Sequence, residues 1–129
     1  MKVGVLCEFS GVVRDAFIRH GHNAVSCDLL PSEAPGPHIQ GDCLAQDWSW
    51  ADVLIFHAPC TYLCNSGVRW LWNENGGHNF QRWEAMKDAA NFFIRCAGLG
   101  RCTAGENPIM HRYARRRIGS PAQIIQPWM

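Results

Sequence analysis

Hydrophobic residues fall along this chain in short runs separated by polar or glycine-marked breaks, and the runs change period as the chain proceeds. Lys2 to Cys7 is rich in valine and leucine and alternates weakly, which predicts a central strand turned by Glu8-Phe9-Ser10-Gly11. Val12 to His20 places Val13, Ala16, Phe17 and His20 at helical spacing, with Gly21 as a natural stop. Asn23 to Cys27 predicts a second strand ending at Asp28, and Leu29 to Gly36 an irregular, proline-marked loop. His38 to Gln40 predicts a short third strand closing at Gly41-Asp42, and Asp52 to His57 a fourth. Asn65 to Gly77 reads as a polar and aromatic loop, long enough to suggest a functional loop or lid. Asn79 to Ala97 predicts the longest helix, with Phe80, Trp83, Ala90, Phe93 and Ala97 on one face. Gly98 and Gly100 end it, and Arg101 to Gly105 predicts a fifth strand running into Glu106-Asn107-Pro108.

This alternation of strands and crossover segments predicts an α/β fold: a mostly parallel sheet of five or six strands with flanking helices. The 129 residues suffice for one domain with a real core and are too few for two. There is no internal repeat. An apolar content of 47% and a charged content of 18% are those of a globular chain. The net charge of +1 offers no global attraction to nucleic acid or membrane, so any nucleic-acid surface has to be a local patch. No apolar run approaches a membrane span, and Glu8 interrupts the N-terminal apolar run too early for a signal peptide. Seven cysteines without a C-x-x-C pair predict reduced thiols and a cytoplasmic protein. Cys60 and Cys64 with His57 match no common zinc spacing, so no metal is predicted.

Candidate chemistry gathers at strand ends. The run Asp52 to Phe56 delivers Cys60, directly after Pro59, to the carboxyl-end rim where open α/β sheets bind ligands. A cysteine presented there can serve as a nucleophile, and the same residue also fits a small buried thiol. Ser10-Gly11 at a helix start lets backbone N–H groups face an anion. Asp28 and Asp42 follow further strands, where an acid commonly holds ribose hydroxyls or simply forms a turn. The full G-x-G-x-x-G signature is absent, which argues against a dinucleotide site. Cys7, Cys27, Cys43, Cys96 and Cys102 read as core, and Trp70 and Trp72 as packing residues or base-stacking rings.

Taken in order, these stations resemble the cytosine-5 DNA methyltransferases. Phe9-Ser10-Gly11 is similar to the family's first motif, Asp28 to the second, Gly41-Asp42 to the third, Pro59-Cys60 with Ser66 to the nucleophile motif, and Glu106-Asn107 to the base-holding motif. The whole chain also resembles small phage and prophage methyltransferase-like proteins through Cys7-Glu-Phe-Ser-Gly, Cys27-Asp-Leu-Leu-Pro, Pro59-Cys-Thr-Tyr-Leu, Ser66-Gly-Val-Arg-Trp-Leu, Glu106-Asn-Pro and Ile125-Gln-Pro-Trp.

The resemblance implies a Rossmann-like methyltransferase sheet and S-adenosylmethionine as cofactor, held by Phe9, Ser10, Gly11, Asp28, Asp42 and Pro59. It implies Cys60 and Glu106 as catalytic residues, and DNA or a pyrimidine nucleotide as substrate. It points to nucleic-acid contacts at Ser66, Arg69, Arg112, Arg115 and Arg116, and to the host cytoplasm if the protein is phage-encoded. Ala58 before Pro59-Cys60, Cys7 where an acid is expected, and Pro108 after Asn107 depart from the family pattern, and no target-recognition domain is present. The alternatives are a non-catalytic S-adenosylmethionine- or nucleotide-binding accessory module and a C-terminally truncated, inactive member. A sheet edge or tryptophan surface offers a route to a homodimer.

Overall fold

The first strand, β1 (Lys2–Leu6), is buried from Val3 to Leu6, as expected of a strand covered on both faces at the middle of a sheet. The computed structural model describes residues 1–126, so the Pro127-Trp128 end of the Ile125–Trp128 motif lies outside the described residues. Helix α1 (Val12–Arg19) and strands β2 (Asn23–Asp28) and β3 (His38–Gln40) follow, then a 3-10 turn at Cys43–Ala45 and strand β4 (Val53–Phe56). A second 3-10 segment, Asn65–Leu71, leads to helix α2 (Phe80–Ala97), strand β5 (Thr103–Gly105) and helix α3 (Arg112–Ile118).

The five strands form one sheet in the order β3-β2-β1-β4-β5, and all four pairings are parallel. The chain is therefore an α/β protein with a Rossmann-like sheet. It builds outward from β1 on one side, then crosses to β4 on the other, which puts the topological switch point between the carboxyl ends of β1 and β4.

Period-two alternation sorts the core into two layers. Val3, Val5 and Ala24 face α1 and pack with Val13, Phe17 and Ile55. Leu6, Cys27, Leu54 and Phe56 face the other way, with Cys43, Trp48, Cys96, Phe92 and Phe93. Phe56 meets Phe93 edge-on, with ring centroids 4.8 Å apart. Gly4 leaves room for this layer, since a Cβ there would lie 2.6 Å from Leu54 and 2.9 Å from Trp48. A third cluster, Leu63, Ala90 and Ala114, docks the segment after Cys60 and α3 onto α2.

Several sequence expectations are corrected. Phe80 is 77% exposed and Ala97 is exposed, while Met86, Ala90 and Cys96 are the buried residues of α2. Asn79 caps that helix through the Arg82 N–H, which places Phe80 in the first turn, outside the packed stripe. Cys102 is exposed beside the edge strand, whereas Cys7 packs against the core as expected. Asn65 to Gly77 is not a plain loop, because the 3-10 segment and a Trp72–His78 antiparallel bridge organise it.

The irregular stretch from Leu29 to Pro37 is held by Arg14, whose side chain is fully buried. Its guanidinium donates to Ser26 Oγ, Ser32 Oγ and the carbonyls of Ala34 and Pro35, and pairs with Asp15 at 2.7 Å. No helix among the described residues is long and apolar enough to cross a membrane.

Candidate functional site

The turn after β1 is built by two unusual residues. Cys7 adopts a left-handed backbone at φ 57°, uncommon for a side chain other than glycine, and Gly11 follows at φ 79°. The left-handed turn sends the Cys7 thiol into the core beside Cys43 and Cys96. Hydrogen bonding to those two thiols, together with burial, pushes the Cys7 thiol upward, while the same contacts pull Cys43 down.

Glu8, 6% exposed, takes up the inside of the turn. Its Oε1 accepts the Val13 N–H at 2.9 Å and the Ser10 hydroxyl at 3.0 Å, and Ser10 Oγ in turn accepts the Val12 N–H at 3.2 Å. Two of the N–H groups that open α1 are thus satisfied from within the chain. The anion site expected at Ser10-Gly11 is not what the turn offers. Glu8 Oε2 is buried without a protein partner, and so is Nε2 of His57, the first residue after β4.

Both residues line one cleft of about 250 Å³, together with Cys7, Phe9, Ser10 and Val13. It lies at the switch point, where ligands of open α/β sheets bind. A buried carboxylate with one oxygen to spare suits a ligand end that carries positive charge and N–H donors. S-adenosylmethionine carries both an ammonium and a sulfonium, so the residues present fit its amino-acid end. Neither Asp28 nor Asp42 lines this cleft. They sit at the ends of β2 and β3 and close turns, Asp28 accepting the Leu30 N–H at 3.0 Å and Asp42 the Leu44 N–H at 2.9 Å. Gly11 packs against Arg14 and Ala34 instead. Pro59 faces a separate groove with Tyr62, Ala85 and Phe92.

Cys60 and Glu106 occupy the same carboxyl-end rim. Cys60 is half-buried, and its carbonyl accepts the N–H groups of Leu63 and Cys64 at 2.9 and 3.0 Å, which folds residues 60–64 into a tight turn. The turn brings the Cys64 thiol onto Cys60. Burial first, then the hydrogen bond to Cys60 and the negative charges of Cys60 and Glu106, push Cys64 up to about 11. The Cys64 thiol is therefore held protonated at neutral pH. Glu106 extends β5, its N–H donating to the Phe56 carbonyl at 3.1 Å, and its Oε2 lies 3.8 Å from His57 Nδ1. His57 thus stands between the cleft and Glu106.

The Cys60 turn is anchored from α3. His111, 2% exposed, caps that helix through the Ala114 N–H at 3.1 Å, and its Nε2 donates to the Tyr62 carbonyl at 2.9 Å. Arg82 donates to the Thr61 carbonyl at 2.9 Å. Ser66 and Arg69 lie exposed on the 3-10 segment, and Arg112, Arg115 and Arg116 lie exposed on α3. No group of metal-ligating side chains is assembled among the described residues.

Glu8, His57, His111 and Arg82 build the site without having been among the residues predicted for it from the sequence. Glu8 carries a readable signal, an acid just ahead of a helix start, and His57 is the first polar residue after a buried strand. Arg82 and His111 carry none, because their partners are backbone carbonyls distant in sequence. Compared with known proteins, the chain matches no family model, and no curated protein or solved structure is significantly similar to it.

Proposed function

We propose that this chain is an S-adenosylmethionine-dependent methyltransferase acting on carbon 5 of a cytosine or related pyrimidine, with Cys60 as its nucleophile. One observation carries the reading. Glu8, whose buried Oε2 has no protein partner, lines a switch-point cleft on the same rim as Cys60 and Glu106. A cationic ligand and a pyrimidine can meet there.

The residues divide the chemistry between them. Cys60, as thiolate, adds to carbon 6 of the ring, forming a C–S bond and making carbon 5 nucleophilic. Glu106 holds the pyrimidine edge, sharing a proton with the ring nitrogen as electron density shifts onto it. Cys64 stays protonated beside Cys60. Glu8 and His57 hold the amino-acid end of the cofactor. S-adenosylmethionine supplies the electrophilic methyl group when bound. Loss of the carbon-5 proton to a base then expels Cys60, which breaks the C–S bond and returns the thiolate. In duplex DNA the target base would have to leave the stack to reach this rim.

Glu106 has a 63% exposed side chain, and that favours a second reading, a cofactor-binding module that completes its site only with a partner. Transfer of tritiated methyl from S-adenosylmethionine to cytosine-containing oligonucleotides separates the two. Label that enters the base and disappears with Cys60→Ser supports the enzyme. Binding of the cofactor with no label transferred supports the module.

A further inference from the structure

The near-zero net charge conceals a strong polarity. Residues 60–83 and 106–118 carry six arginines against two carboxylates, Glu74 and Glu106, while the rest of the chain carries six basic residues and nine acids. The structure packs these two segments together. Trp83 of α2 meets Trp72 at 5.9 Å and Tyr113 of α3 at 5.0 Å, while Arg82 and His111 both bind carbonyls of the Cys60 turn. The arginines therefore collect on the side of the molecule that borders Cys60.

Among the described residues, no carboxylate pairs with Arg69, Arg82, Arg112, Arg115, Arg116 or Arg117. Four of these guanidinium groups lie over aromatic rings instead. Arg69 covers Trp70 at 4.1 Å, Arg82 covers Tyr62 at 4.3 Å, and Arg112 and Arg116 cover Tyr113 at 4.8 and 5.9 Å. Trp70 is 52% exposed and Tyr62 36%. Trp72, by contrast, is half-buried in contact with Trp83 and Tyr113 and serves packing.

We propose that this face is a binding platform for an unpaired stretch of polynucleotide, with bases on Trp70 and Tyr62 and phosphates on Arg69, Arg82 and the arginines of α3. Unpaired guanidinium groups call for a polyanion. The exposed rings narrow the choice, since aromatic faces stack on bases only where the bases are themselves unpaired. A duplex hides those base faces and would leave both rings unused. The proposal deepens the reading of Cys60 by naming the form of its substrate, and it rests on that reading only for what happens at Cys60.

The test is a fluorescence-anisotropy titration of the full chain with labelled single-stranded oligo-dT and oligo-U of 15 nucleotides and with a duplex of the same length. No S-adenosylmethionine is present, so failure here is distinguishable from failure of the methyl-transfer reading. Single strands should bind at least tenfold tighter than duplex, and the two oligonucleotides tell DNA from RNA, binding of either supporting the platform. Trp70→Ala should weaken single-strand binding at least fivefold without moving the thermal melt. Arg69→Ala and Arg116→Ala should each reduce the slope of log affinity against log salt by about 0.7, the share of one phosphate contact. Arg19→Ala, on α1, should leave binding unchanged. Duplex binding as tight as single-strand binding, no binding to either strand, or indifference to Trp70→Ala would overturn it.

Discussion

Glu8 Oε1 accepts the backbone N–H of Val13 at 2.9 Å, so the carboxylate that closes β1 also opens α1, while its second oxygen is buried without a protein partner at the cleft wall. The strand, the helix and the site are tied through this one side chain. Glu8→Ala removes both the Val13 and the Ser10 bonds and should cost about 0.5–2 kcal/mol, the usual range for a lost helix cap. Glu8→Gln keeps an oxygen for the Val13 N–H and should melt near the wild-type temperature. Thermal melting of the two variants checks this, and equal losses for both would contradict the capping role.

Arg14 organises the approach to Asp28 from below the surface. Arg14→Met leaves the Pro35 carbonyl without its donor, removes one donor each from Ser26, Ser32 and the Ala34 carbonyl, and should destabilise by about 2–3 kcal/mol. Limited proteolysis should then cut first between Leu29 and Pro37. The hydrogen bond from Arg14 also holds the Asp15 carboxyl below its ordinary value. Its contribution is present above the normal carboxylate range and is lost as pH falls through the depressed value. Asp15→Asn should therefore lower stability at neutral pH, leave it nearly unchanged in strong acid, and so flatten the acid limb; urea midpoints across that limb check this.

Alkaline stability depends on a buried thiol. Burial first, then the negative charges of Cys43, Asp28 and Asp42, push Cys27 from 9.0 up to about 11. A raised thiol contributes its full stability below pH 9 and loses it as pH rises through about 11, a total of about 2–3 kcal/mol. Urea midpoints at pH 8 and pH 10.5 should therefore diverge, and Cys27→Ala should narrow the gap. An unchanged gap would assign the alkaline loss elsewhere.

Thiol accessibility gives a fourth check. All seven cysteines are unpaired, and Cys102 alone is exposed, with Cys60 and Cys7 half-buried. In the native protein a bulky disulfide reagent should modify Cys102 first and Cys60 next, with Cys27, Cys43 and Cys96 reacting only in denaturant. Peptide mass mapping at timed intervals reads the order.

The five strands were legible because each is a short apolar run bounded by a polar turn, and parallel strands buried on both faces leave that signature strongly. The central place of β1 was legible too, whereas the order β3-β2-β1-β4-β5 came only with the structure. Burial on α2 was less legible: Phe80 satisfies the helical period, yet its place in the first turn puts it beyond the packed stripe. Cys102 is apolar by type but sits at an open sheet edge, where composition gives no warning. At the site, Cys60 and Glu106 were placed correctly on one rim by the strand pattern. The tertiary links were not visible. Arg14 reaching a loop 20 residues away, His111 holding the Tyr62 carbonyl, and His57 facing Glu106 all depend on partners that no local period encodes.

Calorimetric titration of the full chain with S-adenosylmethionine tests the central claim most directly. The account predicts submillimolar binding, weakened at least tenfold by Glu8→Gln, because the exchange removes the charge facing the ligand while keeping the helix cap. No heat of binding at millimolar ligand, or binding indifferent to Glu8→Gln, would contradict it.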